Sequence, residues 1–162
     1  DGVSPVEFPT VSNGQYVLSV KHRNHLGVMT QGALNLDGCN PTSVDLSSAV
    51  PVYANGLITN TPRKVLGSVY LLWSGDANNN KNVKYTGLYN DKEVILAVIG
   101  VATPNNVLNN VYRMEDVNMD GVLRYNGLNN DRNVILNNVG VSTPNAILYQ
   151  HTPNEFANVL IC

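Results

Sequence analysis

Near the N-terminus the side chains follow a period of two: Tyr16, Leu18 and Val20 alternate with Val17, Ser19 and Lys21. A second run, Val65, Val69, Tyr70, Leu71 and Leu72, ends at Trp73, and turn-forming clusters punctuate the interval at Ser12-Asn13-Gly14, Asp37-Gly38, Asn40-Pro41 and Asn55-Gly56. Short alternating runs between Gly, Pro, Asn and Ser predict strands, so residues 1–75 read as a β-rich, sandwich-like domain with a boundary near Ser74-Gly75. Beyond it the pattern changes. Val134, Ile135, Leu136 and Val139 predict a short helix, and Val94, Ile95 and Leu96 repeat its start. The expected fold is mainly β with short helices.

A shift of forty lays residues 76–108 on 116–148 without a gap, with 16 of 33 positions identical. Tyr85, Gly87, Leu88, Asn90 and Asp91 match Tyr125, Gly127, Leu128, Asn130 and Asp131; Gly100 and Thr103-Pro104-Asn105 match Gly140 and Thr143-Pro144-Asn145. Each unit reads as a loop, a short helix stopped by glycine, and a Thr-Pro-Asn segment opening a second short helix. A unit this small cannot bury its own apolar face, so the two copies within 76–162 are expected to pack on each other.

The loops carry the chemistry. Asp116-x-Asn118-x-Asp120-Gly121 sets side-chain oxygens at alternate positions before a glycine, the opening of a calcium loop. An EF-hand would close with a bidentate Glu at its twelfth position, which here is Gly127; the next carboxylate is Asp131. A longer loop can still return Asp131 to an ion, because closure entropy grows slowly with length. The rival reading is metal-free: Asx-rich turns form without ions, and Asp131 then serves only to cap the following helix. Metal is favoured because three carboxylates in one turn repel unless a cation lies among them. In the first copy Asp76, Asn78, Asn80 and Asp91 take the same places, but Asn80 replaces an Asp and Lys81 replaces the glycine, so this site is expected to bind more weakly.

Composition narrows the function. The 162 residues carry a net charge of -2, and Lys and Arg are scattered, which argues against a nucleic-acid partner. No apolar run approaches the roughly 18–20 residues of a membrane helix. Asn makes up 25 residues, in keeping with loops and neutral oxygen ligands. The start without Met or a signal peptide predicts a segment of a longer chain. Cys39 and Cys162 allow one disulfide, within or between chains, or two thiols.

His22-Arg23-Asn24-His25 is the strongest chemical cluster of the first half. Histidines three apart on a strand end face opposite ways unless a turn intervenes, so a structural role is expected ahead of a ligand or catalytic one. Trp73 is expected in the core. Nucleophile-elbow, phosphate-loop and paired-cysteine patterns are absent, so the chain is expected not to be an enzyme.

The segments "DGVSPVEFP", "VKHRNHLGVMT", "KVLGSVYLLWSGDANNN" and "DVNMDGVLRYNGLNNDRNVILNNVG" together resemble a module near the C-terminal ends of large secreted and cell-surface proteins of Bacteroidota, in which HRNHLGVMT precedes two dockerin-like repeats. The resemblance spans nearly the whole chain. It implies an extracellular or cell-surface location, and calcium on Asp116, Asn118, Asp120 and Asp131 and on Asp76, Asn78, Asn80 and Asp91. This sequence departs from the pattern at Lys81, where Gly is usual, and at Lys92-Glu93 and Asn133, where Arg-Asp-Pro is usual. In those modules "DGVSPV" lies partway through the β domain, which implies a start in mid-domain and a sheet edge needing cover. The expected function is a calcium-stabilised, non-enzymatic structural or adhesion module. The alternatives are a subunit of an extracellular filament assembled by strand addition, with self-association through a sheet edge, and a dockerin-type protein-binding module.

Overall fold

A computed structural model of the chain describes residues 6–37, 40–152 and 159–161; Cys39 and Cys162 lie outside the described residues. The elements run β1 (Gly14–Val20), β2 (Val28–Met29), β3 (Leu34–Leu36), β4 (Lys64–Leu66), β5 (Val69–Leu71), β6 (Asn82–Lys84), α1 (Asp91–Ile99), β7 (Val107–Asn109), β8 (Val122–Arg124), α2 (Asp131–Val139), β9 (Ile147–Tyr149) and β10 (Val159–Ile161). Among the described residues the fold is mainly strands with two short helices. No helix among the described residues is long and apolar enough to cross a membrane.

The chain divides into two compact units, the described residues of 1–21, 28–71 and 151–162 in one, and residues 22–27 with 72–150 in the other. In the first, β1 is flanked by β2 and β3, both antiparallel, and by β10, which runs parallel with Val17 beside Val159. Thr30 bridges the break between β2 and β3: its N–H donates to the Leu18 carbonyl at 2.9 Å, and its Oγ1 accepts from the Leu18 N–H at 3.1 Å. β4 and β5 form a separate hairpin around Gly67, whose φ of 62° suits glycine. Arg63 is buried and donates to the carbonyls of Leu46, Ser48 and Val50 at 2.6 to 2.9 Å, which satisfies the acceptors of a turn.

The second unit contains both repeats around one core of Ala77, Val83, Ile95, Ile99, Val117, Leu123, Ile135, Val139 and Leu148. Leu26 joins that core, and Trp73 packs against it. Burying a side chain of this class contributes about 1.5–3 kcal/mol, so Ile95→Ala or Ile135→Ala should cost about 2–5 kcal/mol once the cavity is included.

The helices begin and end by the same devices. Asn90 Oδ1 accepts from the Glu93 N–H at 3.1 Å and Asn130 Oδ1 from the Asn133 N–H at 3.0 Å, so the caps are Asn90 and Asn130, each followed by an Asp in the first turn. Gly100 and Gly140 stop the helices with φ of 111° and 106°.

The second short helix expected after each glycine does not form. Thr103-Pro104-Asn105 and Thr143-Pro144-Asn145 make turns, with the Asn106 N–H bonded to the Thr103 carbonyl and the Ala146 N–H to the Thr143 carbonyl, and strands β7 and β9 follow. Tertiary pairing overrides the local start signal. β9 pairs antiparallel with β6 and β7 with β8, so each repeat supplies the strand that completes the loop of the other.

Candidate metal centre

The alternating Asx residues build each loop before any ion is considered. In the second loop Asn118 Oδ1 accepts from the Asp120 N–H at 3.0 Å and Asp120 Oδ1 from the Val122 N–H at 2.8 Å; in the first, Asn78 and Asn80 do the same for the N–H groups of Asn80 and Asn82 at 3.1 Å. Such i to i+2 bonds are the usual behaviour of Asn and Asp in turns. They curl the opening of each loop through two left-handed residues, Asn79 and Lys81 at φ 56° and 68°, and Met119 and Gly121 at φ 61° and 77°. Asn118 Nδ2 also donates to the Asn129 carbonyl at 2.8 Å, and Asn78 Nδ2 to that of Tyr89 at 3.1 Å, tying the start of each loop to its far end.

The late aspartates do return. Asp131 Oδ1 accepts from the Val117 N–H at 2.8 Å and Oδ2 from the Arg124 N–H at 2.9 Å; Asp91 accepts from the N–H groups of Ala77 at 2.9 Å and Lys84 at 2.8 Å. Standing in the first turn of its helix, each carboxylate reaches back to the opening of its loop instead of capping the helix. The first aspartates are held similarly, Asp76 by the N–H groups of Asn80 and Lys81 and Asp116 by that of Gly121.

These carboxylates are buried: Asp91 and Asp131 are 0% exposed, Asp116 1% and Asp76 2%. Burial pushes Asp91 up to about 7, opposed by the Lys84 N–H and reinforced by the negative charge of Asp76. It pushes Asp131 up to about 6, opposed by the N–H groups of Arg124, Asn118 and Val117 and reinforced by Asp116. Asp76 is also raised, again by burial. Each loop therefore holds a pair of buried, mutually repelling carboxylates. Asp116 Oδ1 is buried with no hydrogen-bond partner among the described residues, as is Asn82 Oδ1 beside the first loop. A buried acceptor without a donor costs about 1–3 kcal/mol unless something else satisfies it.

The donors available for a hard cation are carboxylate and amide oxygens, the class that calcium takes. Asp116, Asn118, Asp120 and Asp131 offer them in the second loop, and Asp76, Asn78, Asn80 and Asp91 in the first. Among the described residues no three His, Cys, Asp or Glu side chains come together as a ready metal cluster. Any ion here would rely on the mixed Asp and Asn oxygens.

The His22–Gly27 segment lies against the second loop. Asn24 is fully buried, and its Nδ2 donates to the carbonyls of Asp116 at 2.7 Å and Met114 at 3.1 Å. Arg23 donates from Nε to the Arg113 carbonyl at 3.1 Å, stacks 4.0 Å over the Tyr112 ring, and holds Nη2 4.0 Å from Asp116 Oδ2. A turn does intervene between the histidines, with the His25 N–H on the His22 carbonyl at 3.3 Å, and the two Nδ1 atoms come to 2.8 Å. Burial, then the positive charges of His22 and Arg23, push His25 down to about 4. The link between Asn24 and Asp116 left no mark in the sequence, since an Asn inside a polar turn predicts only local bonds. In comparisons with protein-family models, curated proteins and solved structures, nothing matches this chain.

Proposed function

We propose that this chain is a calcium-stabilised, non-enzymatic structural or adhesion module of an extracellular or cell-surface protein. The observation that carries the calcium reading is Asp116 Oδ1: a carboxylate oxygen buried without a hydrogen-bond partner, beside a second buried carboxylate, at the mouth of a loop rich in neutral oxygens. Asp116, Asn118, Asp120 and Asp131 would hold the ion in the second loop, and Asp76, Asn78, Asn80 and Asp91 a weaker one in the first. Calcium supplies no chemistry in this reading; it cancels the repulsion between carboxylates and locks the two repeats. The surface location and the dockerin-like character rest on the sequence resemblance.

Ion binding to the folded state alone adds about 2.7 kcal/mol when free calcium is a hundredfold above Kd. Thermal melting of decalcified protein with and without added calcium tests this, and coincident curves would remove the metal from the proposal. The filament alternative is favoured by one feature. Among the described residues the β1 edge is paired over three residues by β10, in parallel, so a strand of a second copy could take that edge. Negative-stain microscopy of native material tests it.

A further inference from the structure

We propose that His22, Asn24 and His25 form a second, separate metal site, selective for a divalent transition ion of copper(II) type. Three potential ligand atoms converge there: His22 Nδ1 lies 2.8 Å from His25 Nδ1 and 3.1 Å from Asn24 Oδ1, and the third side, from His25 Nδ1 to Asn24 Oδ1, is 2.8 Å. The orientation of the Asn24 amide is set independently. Its Nδ2 is committed to the carbonyls of Met114 and Asp116, so it is the oxygen that faces the imidazoles.

No arrangement of protons satisfies all three sides of this triangle. Asn24 Oδ1 only accepts. A proton on either Nδ1 leaves the other nitrogen's lone pair opposed to that oxygen, and protons on both oppose two N–H groups across 2.8 Å. A single cation above the triangle accepts all three lone pairs.

The dimensions select the ion. Sides of 2.8, 2.8 and 3.1 Å place each atom about 1.7 Å from the centre, so an ion roughly 1.2 Å above the plane meets all three at about 2.0–2.1 Å. The angles at that ion are then about 84–102°, closer to the cis angles of tetragonal copper(II) or nickel(II) than to the tetrahedral geometry of zinc(II). Copper(II) also stands above nickel(II) and zinc(II) in general affinity for nitrogen and oxygen ligands. His22 and His25 are half-buried, and Asn24 is fully buried.

One contact must give way. Arg23 Nη1 lies 3.3 Å from His22 Nε2, and metal on Nδ1 puts the proton of His22 on Nε2, donor against donor. This is a long contact, lost at little cost, and Arg23 has carbonyl, ring and carboxylate partners besides it.

The test uses the full chain in saturating calcium with one equivalent of copper(II), read by electron paramagnetic resonance. The expected spectrum shows superhyperfine coupling to two nitrogens. His22→Gln or His25→Gln should leave one nitrogen and weaken copper by at least about tenfold, while His151→Gln changes nothing. Zinc(II) in competition should bind more than tenfold weaker than copper(II). Should the glutamine variants fail to fold, nickel(II) added to the native protein should broaden or shift the imidazole resonances of His22 and His25 before those of His151. A spectrum without paired nitrogens, copper binding unaltered in both glutamine variants, or histidine resonances that respond together would each overturn the site and leave adventitious copper only.

Discussion

Asn24 and Asp116 stand ninety-two residues apart and are joined by a 2.7 Å hydrogen bond from the side-chain amide of the first to the main-chain carbonyl of the second. The turn at residues 22–27 thereby holds the first residue of the second loop. Asn24→Ala leaves that carbonyl, at a buried position, and the part-buried one of Met114 without this donor, which costs about 1–3 kcal/mol for each group that water cannot reach. The variant should lower calcium affinity at the second loop and spare the first. Isothermal titration resolves the two sites, and equal losses at both would show that Asn24 acts on overall stability alone.

Stability should depend on pH with opposite sign in the two metal states. A carboxylate whose pKa rises on folding adds stability that is fully present below its ordinary value of 3.8 and is lost as pH rises through the raised value, about 7 for Asp91 and about 6 for Asp131. Decalcified protein in metal-free buffer should therefore melt higher at pH 5 than at pH 8. With saturating calcium, protons compete with the ion and the order should reverse. Scanning calorimetry at both pH values checks it, and the same slope in both states would mean that Asp91 and Asp131 hold no ion.

Capping and ligand roles fall on adjacent residues. Asn130→Ala removes the cap of α2 and should cost about 1 kcal/mol with or without calcium. Asp131→Asn keeps that cap, but it removes the charge and turns an NH₂ toward the N–H of Val117 or of Arg124. It should abolish most of the second site's affinity. Denaturant melts in both metal states, run on the two variants side by side, separate these outcomes.

The first loop carries Lys81 at φ 68° where the second has Gly121 at φ 77°. A side chain in the left-handed region costs about 1–2 kcal/mol, partly offset by the greater freedom of glycine in the unfolded chain. Lys81→Gly should therefore stabilise the protein by about 0.5–1 kcal/mol and tighten calcium at the first site. The reverse change, Gly121→Ala, meets no atom within 4 Å and should lose affinity through backbone strain alone. Titration of both variants measures this.

Much of this arrangement is legible along the chain because it repeats. The identities between 76–108 and 116–148 mark the loops, the helices and their glycine stops, and the strand β1 follows from the alternation around Tyr16, Leu18 and Val20. What is not legible depends on partners distant in sequence. Thr-Pro-Asn carries the local signature of a helix start, yet Val107 and Ile147 enter strands because β8 and β6 present open ladders. Asn130 outranks Asp131 as the cap since the Asp carboxylate is drawn back to the loop amides, a competition between two acceptors that spacing cannot decide. The meeting of His22 and His25 needs a turn that an alternating pattern does not announce.

The reciprocal pairing of β6 with β9 and of β7 with β8 also sets the order of events during synthesis. Asn82 of the first repeat waits for Tyr149 to leave the ribosome before its ladder can close, so the first loop cannot mature while the second is still being made. Neither repeat should survive as an excised fragment, and a nick near Tyr112, between β7 and β8, should leave two pieces that remain clasped until both melt together.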